Sequence, residues 1–337
     1  MKTRPILLAL SLALSTTACD MVLPPGDMKS PEYWGDVFLD KYKDELVVGD
    51  LEPGPAPLAE PRVVLLITGV TIPAEWFEPI KARLIRDGFI PVVYEPPDLL
   101  SGDLFENSIL LGQKIDEVRA QYGQDKIDVL AECTGGLITR YYLQSLGGEA
   151  KVSRLVTFIS PQHGVPKAAM AYDFAGWPAL HELTPGSDFL NAVNDAPLPE
   201  HVPITSIYSC TDEYIQPYET SIIPGAKNIG LCDGFVGHFS FFYDPSIYLI
   251  MHDALIAPVP SDGIDPVDPS GDPVDTIAPG VDDGDSSSDA DADDTDDANA
   301  DAGGCSASSH TGGDAGVMLL IAGAMVLVRR RRNYAAL

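Results

Sequence analysis

The sequence predicts an α/β domain in which a mostly parallel sheet is covered by helices on both faces. Short continuous apolar runs of strand length recur between segments with helical spacing, the pattern of strands buried on both sides. Of 337 residues, 45% are apolar, enough to fill one sizeable core. The acid also stands apart from these runs. With 21 Lys and Arg against 50 Asp and Glu, the formal charge is −29, yet 262–301 alone holds fifteen Asp and no Lys or Arg. Such a stretch cannot bury enough apolar surface to offset its ordering entropy, so it is expected to be disordered. The remainder is still acidic, which argues against nucleic acid as a partner. Wholly disordered, collagen-like and polytopic membrane classes are excluded by composition.

Five segments follow in order. Residues 1–18 carry Lys2 and Arg4, the apolar run Ile6 to Leu14, then small residues through Ala18. That is the order of an export signal, too short for a bilayer span. Cys19 follows, and Thr16-Thr17-Ala18-Cys19 resembles a lipobox with Thr16 where an aliphatic residue is usual. Lipidation of Cys19 and plain cleavage after Ala18 both stay open. Residues 19–60 are Pro-rich and weakly patterned and read as a lead-in. The domain occupies 61–258, and 259–303 is an Asp-rich, self-repelling linker. Its run Asp289-Ala290-Asp291-Ala292-Asp293 lacks the Gly and closing Glu of a calcium loop and reads as solvated spacer. In 304–337, Gly304-Cys305-Ser306 precedes the apolar run Ala315 to Val328 and the block Arg329 to Arg332. This tail resembles the C-terminal sorting tails of myxobacterial surface proteins, with Cys305 in the Gly-Cys motif. A simple weak anchor is the alternative. Either reading puts the domain outside the cytoplasm, at the cell surface or outer membrane. The partners implied there are export and sorting machinery and a membrane reached through the termini.

Within the domain, Val63 to Ile67 is a strand followed by Thr68-Gly69, and Trp76 to Arg86 has helical spacing stopped by Gly88. Ile90 to Tyr94 is the second strand. A long amphipathic helix runs from Leu104 to Tyr122 and ends at Gly123. Ile127 to Ala131 is the third strand, and Leu137 to Leu146 a helix closed by Gly147-Gly148. Leu155 to Ile159, Ile204 to Ser209 and Lys227 to Leu231 are further strands. Val165 to Asn194 lacks a strand and carries Trp177, Leu180 and Phe189, as a small helical cap inserted between strands would.

Chemistry concentrates at the ends of these strands. The third runs into Ala131-Glu132-Cys133-Thr134-Gly135-Gly136 and then a helix. A strand, a sharp turn with small residues two places either side of a nucleophilic type, then a helix is the layout of a nucleophile elbow. The helix N-terminus beneath residue 133 would stabilise a thiolate or a developing anion. Asp212 lies just past a later strand, and Gly237-His238 falls in the loop after the next, giving the order nucleophile, acid, base. Among the histidines, His163 follows a strand too early in the chain, and His201 and His252 read as ordinary surface or helix residues.

From Val63 to about Ala254 the chain resembles secreted lipases and esterases of the α/β-hydrolase superfamily, near the bacterial triacylglycerol lipases. The resemblance rests on Leu65-Leu66-Ile67-Thr68-Gly69, on the elbow with Arg140-Tyr141-Tyr142-Leu143, and on Val156 to Gly164. It continues through Leu183 to Leu190, then Thr205-Ser206-Ile207-Tyr208 with Asp212 and Pro217, and ends at Gly237-His238. It implies an α/β-hydrolase fold, Cys133 as nucleophile, Asp212 as acid and His238 as base. The backbone N–H groups of Val70 and Thr134 would form the oxyanion hole. A lipid or small ester is the implied substrate, with no cofactor and no metal.

The sequence departs from that pattern in three places. Cys133 stands where the family has Ser, Glu132 where it usually has His, and Thr68-Gly69 where it has His-Gly. A Cys elbow also resembles dienelactone hydrolases and polyhydroxyalkanoate synthases. A carboxylate at 132 would raise the thiol pKa if it pointed inward; on neighbouring elbow geometry it is expected to point sideways. Cys210 and Cys232 flank the acid and base loops, and in an exported protein this suggests a disulfide, leaving Cys133 unpaired. The function expected is ester hydrolysis through an acyl-thioester, with acyl transfer or non-catalytic binding as the alternatives.

Overall fold

The computed structural model describes residues 23–259. The elements are α1 (Pro31–Tyr42), β1 (Arg62–Ile67), α2 (Glu78–Arg86), β2 (Phe89–Tyr94), α3 (Leu104–Tyr122), β3 (Ile127–Glu132), α4 (Thr134–Ser145) and β4 (Val152–Phe158). They continue with α5 (Lys167–Ala175), α6 (Pro178–Glu182), α7 (Asp188–Asp195), β5 (Ile204–Ser209), β6 (Lys227–Leu231), α8 (Ser240–Tyr243) and α9 (Pro245–Ile256). The six strands form one sheet in the order β2-β1-β3-β4-β5-β6, and every neighbouring pair is parallel. This is the expected architecture, and it is an α/β-hydrolase fold.

Side-chain alternation along each strand divides the core in two. Val64 and Leu66 of β1 and Leu130 of β3 face one apolar cluster, which takes Trp34 and Phe38 of α1, Ile80 and Leu84 of α2, and Tyr248 and Met251 of α9. Val63, Leu65 and Ile67 face the other, with Leu111 and Ile115 of α3, Leu137 of α4, and Ala168, Ala179 and Phe189 of the cap helices. Val64, Leu65, Leu66 and Ile67 are fully buried, each worth about 1.5–3 kcal/mol relative to exposure.

Helix boundaries follow local chemistry. Asp103 caps α3 by accepting the N–H of Glu106, and Gly123 ends it at φ 64°, as its position in the sequence suggests. The stretch Trp76 to Arg86 divides into a 3-10 turn over Ala74–Phe77 and then α2. Helix α4 starts at Thr134, three residues ahead of the expectation, because Gly135 and Gly136 form its first turn. The cap is three helices, α5 to α7, and no strand interrupts it.

The lead-in needs correction. Residues 19–60 contain α1, whose Trp34, Phe38 and Tyr42 recur every fourth residue and pack on the domain. The Phe38 and Tyr42 rings pack tilted against Phe239, centroids 5.2 and 4.8 Å away, and Trp177 of the cap donates its indole N–H to the Lys29 carbonyl at 2.6 Å. The packed unit therefore begins well before residue 61. Among the described residues, no helix is long and apolar enough to cross a membrane. The export signal, Cys19, most of the Asp-rich linker, Cys305 and the tail lie outside the described residues.

Candidate active site

Strand register positions the site. Ile67, Ala131, Thr157, Ser206 and Asn228 lie side by side across β1, β3, β4, β5 and β6, and because the strands are parallel the chain leaves them all at the same edge of the sheet, β5 and β6 running three residues beyond this row. Ligands in such sheets bind outside the carboxyl ends of the strands. There the structure brings together Thr68-Gly69-Val70 after β1, Cys133 after β3, Asp212 after β5 and His238 after β6.

Cys133 sits at φ 46°, ψ −122°, a conformation that costs an L-residue about 1–3 kcal/mol. The surroundings hold it there. Its N–H donates to the Phe158 carbonyl at 3.0 Å, and its carbonyl accepts from Gly136 N–H at 3.1 Å and Ser160 Oγ at 2.5 Å. Gly135 is small because a Cβ there would lie 2.9 Å from the Thr68 carbonyl oxygen. At Gly69 a Cβ would lie 2.7 Å from that of Cys133, so the loop after β1 runs directly against the elbow. Thr134 is the first residue of α4, with its Oγ1 3.7 Å from the sulfur.

Asp212 and His238 are both buried and paired, Oδ2 to Nδ1 at 2.7 Å. The other carboxylate oxygen accepts the N–H groups of Tyr214 and Ile215 at 2.7 and 2.8 Å, which fixes the acid. Holding Nδ1 turns Nε2 toward the elbow. The two loops are stitched together as well. Cys210 and Cys232 form a disulfide, Ser209 Oγ donates to the Val236 carbonyl at 2.6 Å, and Glu213 accepts the His238 N–H at 2.7 Å. The other histidines singled out in the sequence lie elsewhere. His163 Nε2 is 3.0 Å from the Ile222 carbonyl, His201 is exposed, and His252 is buried in α9 against Phe89.

Glu132 is the residue the sequence misjudged. Expected to point sideways, it is fully buried and turned into the site. Its Oε2 accepts the Gly69 N–H at 2.5 Å, and its Oε1 lies 3.7 Å from His238 Nε2 with no hydrogen-bond partner. Period two explains the direction: Glu132 shares a strand face with Leu130, whose cluster includes Phe239, next to His238. One ligand-type atom from each of Glu132, Cys133 and His238 lies within 4.8 Å of the others.

The electrostatics follow from this crowding. Burial pushes the Cys133 thiol up, the Glu132 charge adds to that, and the His238 imidazole opposes it. Burial pushes the Glu132 carboxyl up as well. For His238, burial favours the neutral ring, but the Asp212 carboxylate and the contacts with Cys133 and Glu132 outweigh it and hold the pKa well above the ordinary value.

An apolar cavity of about 150 Å³ is lined by Trp34 and Phe38 of α1, Val70 and Thr71 after β1, Ala171, Trp177 and Leu180 of the cap region, and Tyr214. Val70, which follows the Gly69 that abuts Cys133, lines it. Sequence reasoning missed the α1 wall; the fourfold spacing of Trp34, Phe38 and Tyr42 was the signal that could have found it.

The fold and the strand-end cluster define the class as an α/β-hydrolase fold. No family model matches the sequence. Among curated proteins, lipase B of Pseudozyma antarctica is 30% identical over 212 residues, 58% of this chain and 60% of that protein. The chain thus spans less than two thirds of the relative's length. Among solved structures, a Bacillus licheniformis lipase in its propeptide form superposes with TM-score 0.50 at 17% identity, over 63% of this chain and 54% of that one. Aspergillus fumigatus lipase B does so at 0.50 and 20% identity, over 64% and 57%. These two share the fold.

Proposed function

We propose that the protein hydrolyses carboxylic esters through a Cys133–His238–Asp212 triad. The observation that carries the reading is the strained Cys133 at the end of β3, with the Nε2 face of an Asp212-anchored imidazole beside it. Similarity to lipase B supports the reaction class.

In this reading the neutral form of His238 is the working base, and the Cys133 thiol passes its proton to Nε2 as sulfur attacks the ester carbonyl. The carbonyl electron pair moves onto oxygen, where the N–H groups of Val70 and Thr134 stabilise it. Collapse expels the alcohol, which takes the proton from His238, and leaves an acyl-thioester on Cys133. Water then gives a proton to His238 as it attacks, and the thiol is regenerated with release of the acid. Asp212 stabilises the imidazolium in both halves. The raised thiol pKa means that proton transfer accompanies attack instead of preceding it.

The substrate class is a lipid or small ester whose apolar part enters the cavity between α1, the cap and Tyr214. In this proposal the protein acts outside the cytoplasm, which the export-like 1–18 segment and the Cys210–Cys232 bond support. One observation favours a second reading, non-catalytic binding: the inward Glu132 charge opposes thiolate formation. A panel of p-nitrophenyl esters of increasing chain length separates the two. Turnover abolished in Cys133→Ala, and reduced but measurable in Cys133→Ser, supports the hydrolase; no turnover by wild type on any ester overturns it.

A further inference from the structure

Two departures from the lipase-like pattern, Glu132 and Cys133, are adjacent in sequence and converge on one point in space. Glu132 Oε1 is fully buried, has no hydrogen-bond partner, and lies 3.7 Å from His238 Nε2. A buried carboxylate oxygen that makes no hydrogen bond and faces only an imidazole nitrogen at 3.7 Å is costly, and proteins rarely leave one so. The Cys133 sulfur completes a trio of atoms all within 4.8 Å of one another. The set is one thiolate sulfur, one imidazole nitrogen and one carboxylate oxygen, the ligand types zinc takes, in the number that leaves a fourth position open. Asp212 holds His238 Nδ1 at 2.7 Å, the carboxylate–histidine arrangement that orients a metal-bound imidazole and raises its basicity.

We propose that Glu132 Oε1, Cys133 Sγ and His238 Nε2 form a binding site for a thiophilic divalent cation, Zn2+ above all. Cys133 is only partly buried, so the cation enters from the solvent side of the elbow. Binding displaces the Cys133 thiol proton and any proton on His238 Nε2 or Glu132 to solvent, forms the metal–sulfur and metal–nitrogen bonds, and satisfies Glu132 Oε1. It occupies the sulfur and the imidazole nitrogen that ester hydrolysis would use, so the loaded protein is silent toward esters and removal of the metal restores it. Hard cations such as Mg2+ and Ca2+ gain little from sulfur and do not compete. A serine at 133 would make the site far weaker. The trio therefore accounts for Cys133 and Glu132 together, where ester hydrolysis accounts only for the first. No ligand spacing announces it, because His238 reaches the pair only through the fold.

The test is direct metal binding to the full chain after chelator treatment, titrated with Co2+ as a spectroscopic stand-in for Zn2+. Expected are one equivalent bound, a sulfur-to-cobalt charge-transfer band, its loss on adding Zn2+, and no effect of Mg2+. The band should vanish in Cys133→Ala, and affinity should fall tenfold or more in Glu132→Gln and about 10–100-fold in Asp212→Asn. A band that persists in Cys133→Ala, or equal affinity in Glu132→Gln, overturns the proposal by showing that the metal sits elsewhere or on two ligands only. Should these variants fail to fold, wild type decides alone. One equivalent of Zn2+ should protect Cys133 from iodoacetamide, read by peptide mapping that distinguishes it from Cys19 and Cys305, and undiminished labelling overturns the site. The metal proposal and the ester reading fail separately. A metal-free chain that hydrolyses esters but binds no cobalt sinks only the former. Stoichiometric binding by a chain that never turns over esters sinks only the latter.

Discussion

At the residue scale, the site depends on how few freedoms its side chains retain. Asp212 spends one oxygen on two backbone N–H groups and the other on His238, so the imidazole is held in one tautomer and one orientation. Asp212→Asn keeps the shape but reverses the hydrogen-bond preference at Nδ1. We expect the turnover number of the metal-free protein to fall by about 10²–10⁴ while KM changes little, measured by steady-state hydrolysis of a soluble ester. The positions of Cys133, Asp212 and His238 were legible in the sequence because each follows a strand-length segment, and the strands of a parallel sheet end at the same edge. The direction of Glu132 was not. Elbow geometry alone turns it sideways, and only the arrival of His238 and Gly69 from distant parts of the chain shows the buried place it takes.

At the scale of elements, a half-buried carboxylate is one of the links between the cap and the sheet domain. Glu182 of α6 accepts the N–H of Leu104, the first residue of α3, at 2.7 Å. Burial raises its pKa from an ordinary 4.5 to about 7, with the Leu104 N–H offsetting part of the rise. A carboxyl whose folded pKa is raised contributes stability that is complete below the unfolded value and is lost as pH climbs through the folded one. Between about 4.5 and 7 the wild type should therefore lose stability relative to Glu182→Gln, which stays neutral and keeps the accepting oxygen. Thermal melts at pH 4 and pH 8 check this: similar melting temperatures at pH 4, and the variant higher at pH 8. Some elements were readable to the residue, since β5, β6 and α3 match their runs end for end, whereas β4 and α4 each begin three residues before the expected start. Helix α1 was not, because its proline-rich neighbourhood masks a twelve-residue helix whose aromatic stripe has meaning only against Phe239 and Trp76.

At the scale of the whole molecule, the two ends of the sheet have separate duties. The carboxyl end carries the site. At the opposite end, buried Asp128 pairs with Arg154 at 3.0 Å and Arg62 at 3.2 Å, and Arg154 also donates to the Ala257 carbonyl beyond α9, tying β1, β3, β4 and the last helix together. Arg154→Ala strips Asp128 of one partner in a buried place, and denaturant unfolding should record a loss of about 3–5 kcal/mol. The fraction that remains folded should turn over esters at the wild-type rate, because the change lies a strand length from Cys133. The parallel architecture was legible from the alternation of runs, whereas the strand order was not, since it is set by which helices cover which face. The central claim, that Cys133 carries the acyl group, is tested most directly by quenching the metal-free protein during turnover of a p-nitrophenyl ester and mapping the mass gain by peptide mass spectrometry. The account predicts one acyl group on the peptide containing Cys133, released by hydroxylamine and absent from Cys133→Ala. Hydrolysis that continues undiminished in Cys133→Ala, or an acyl group found only elsewhere, would contradict it.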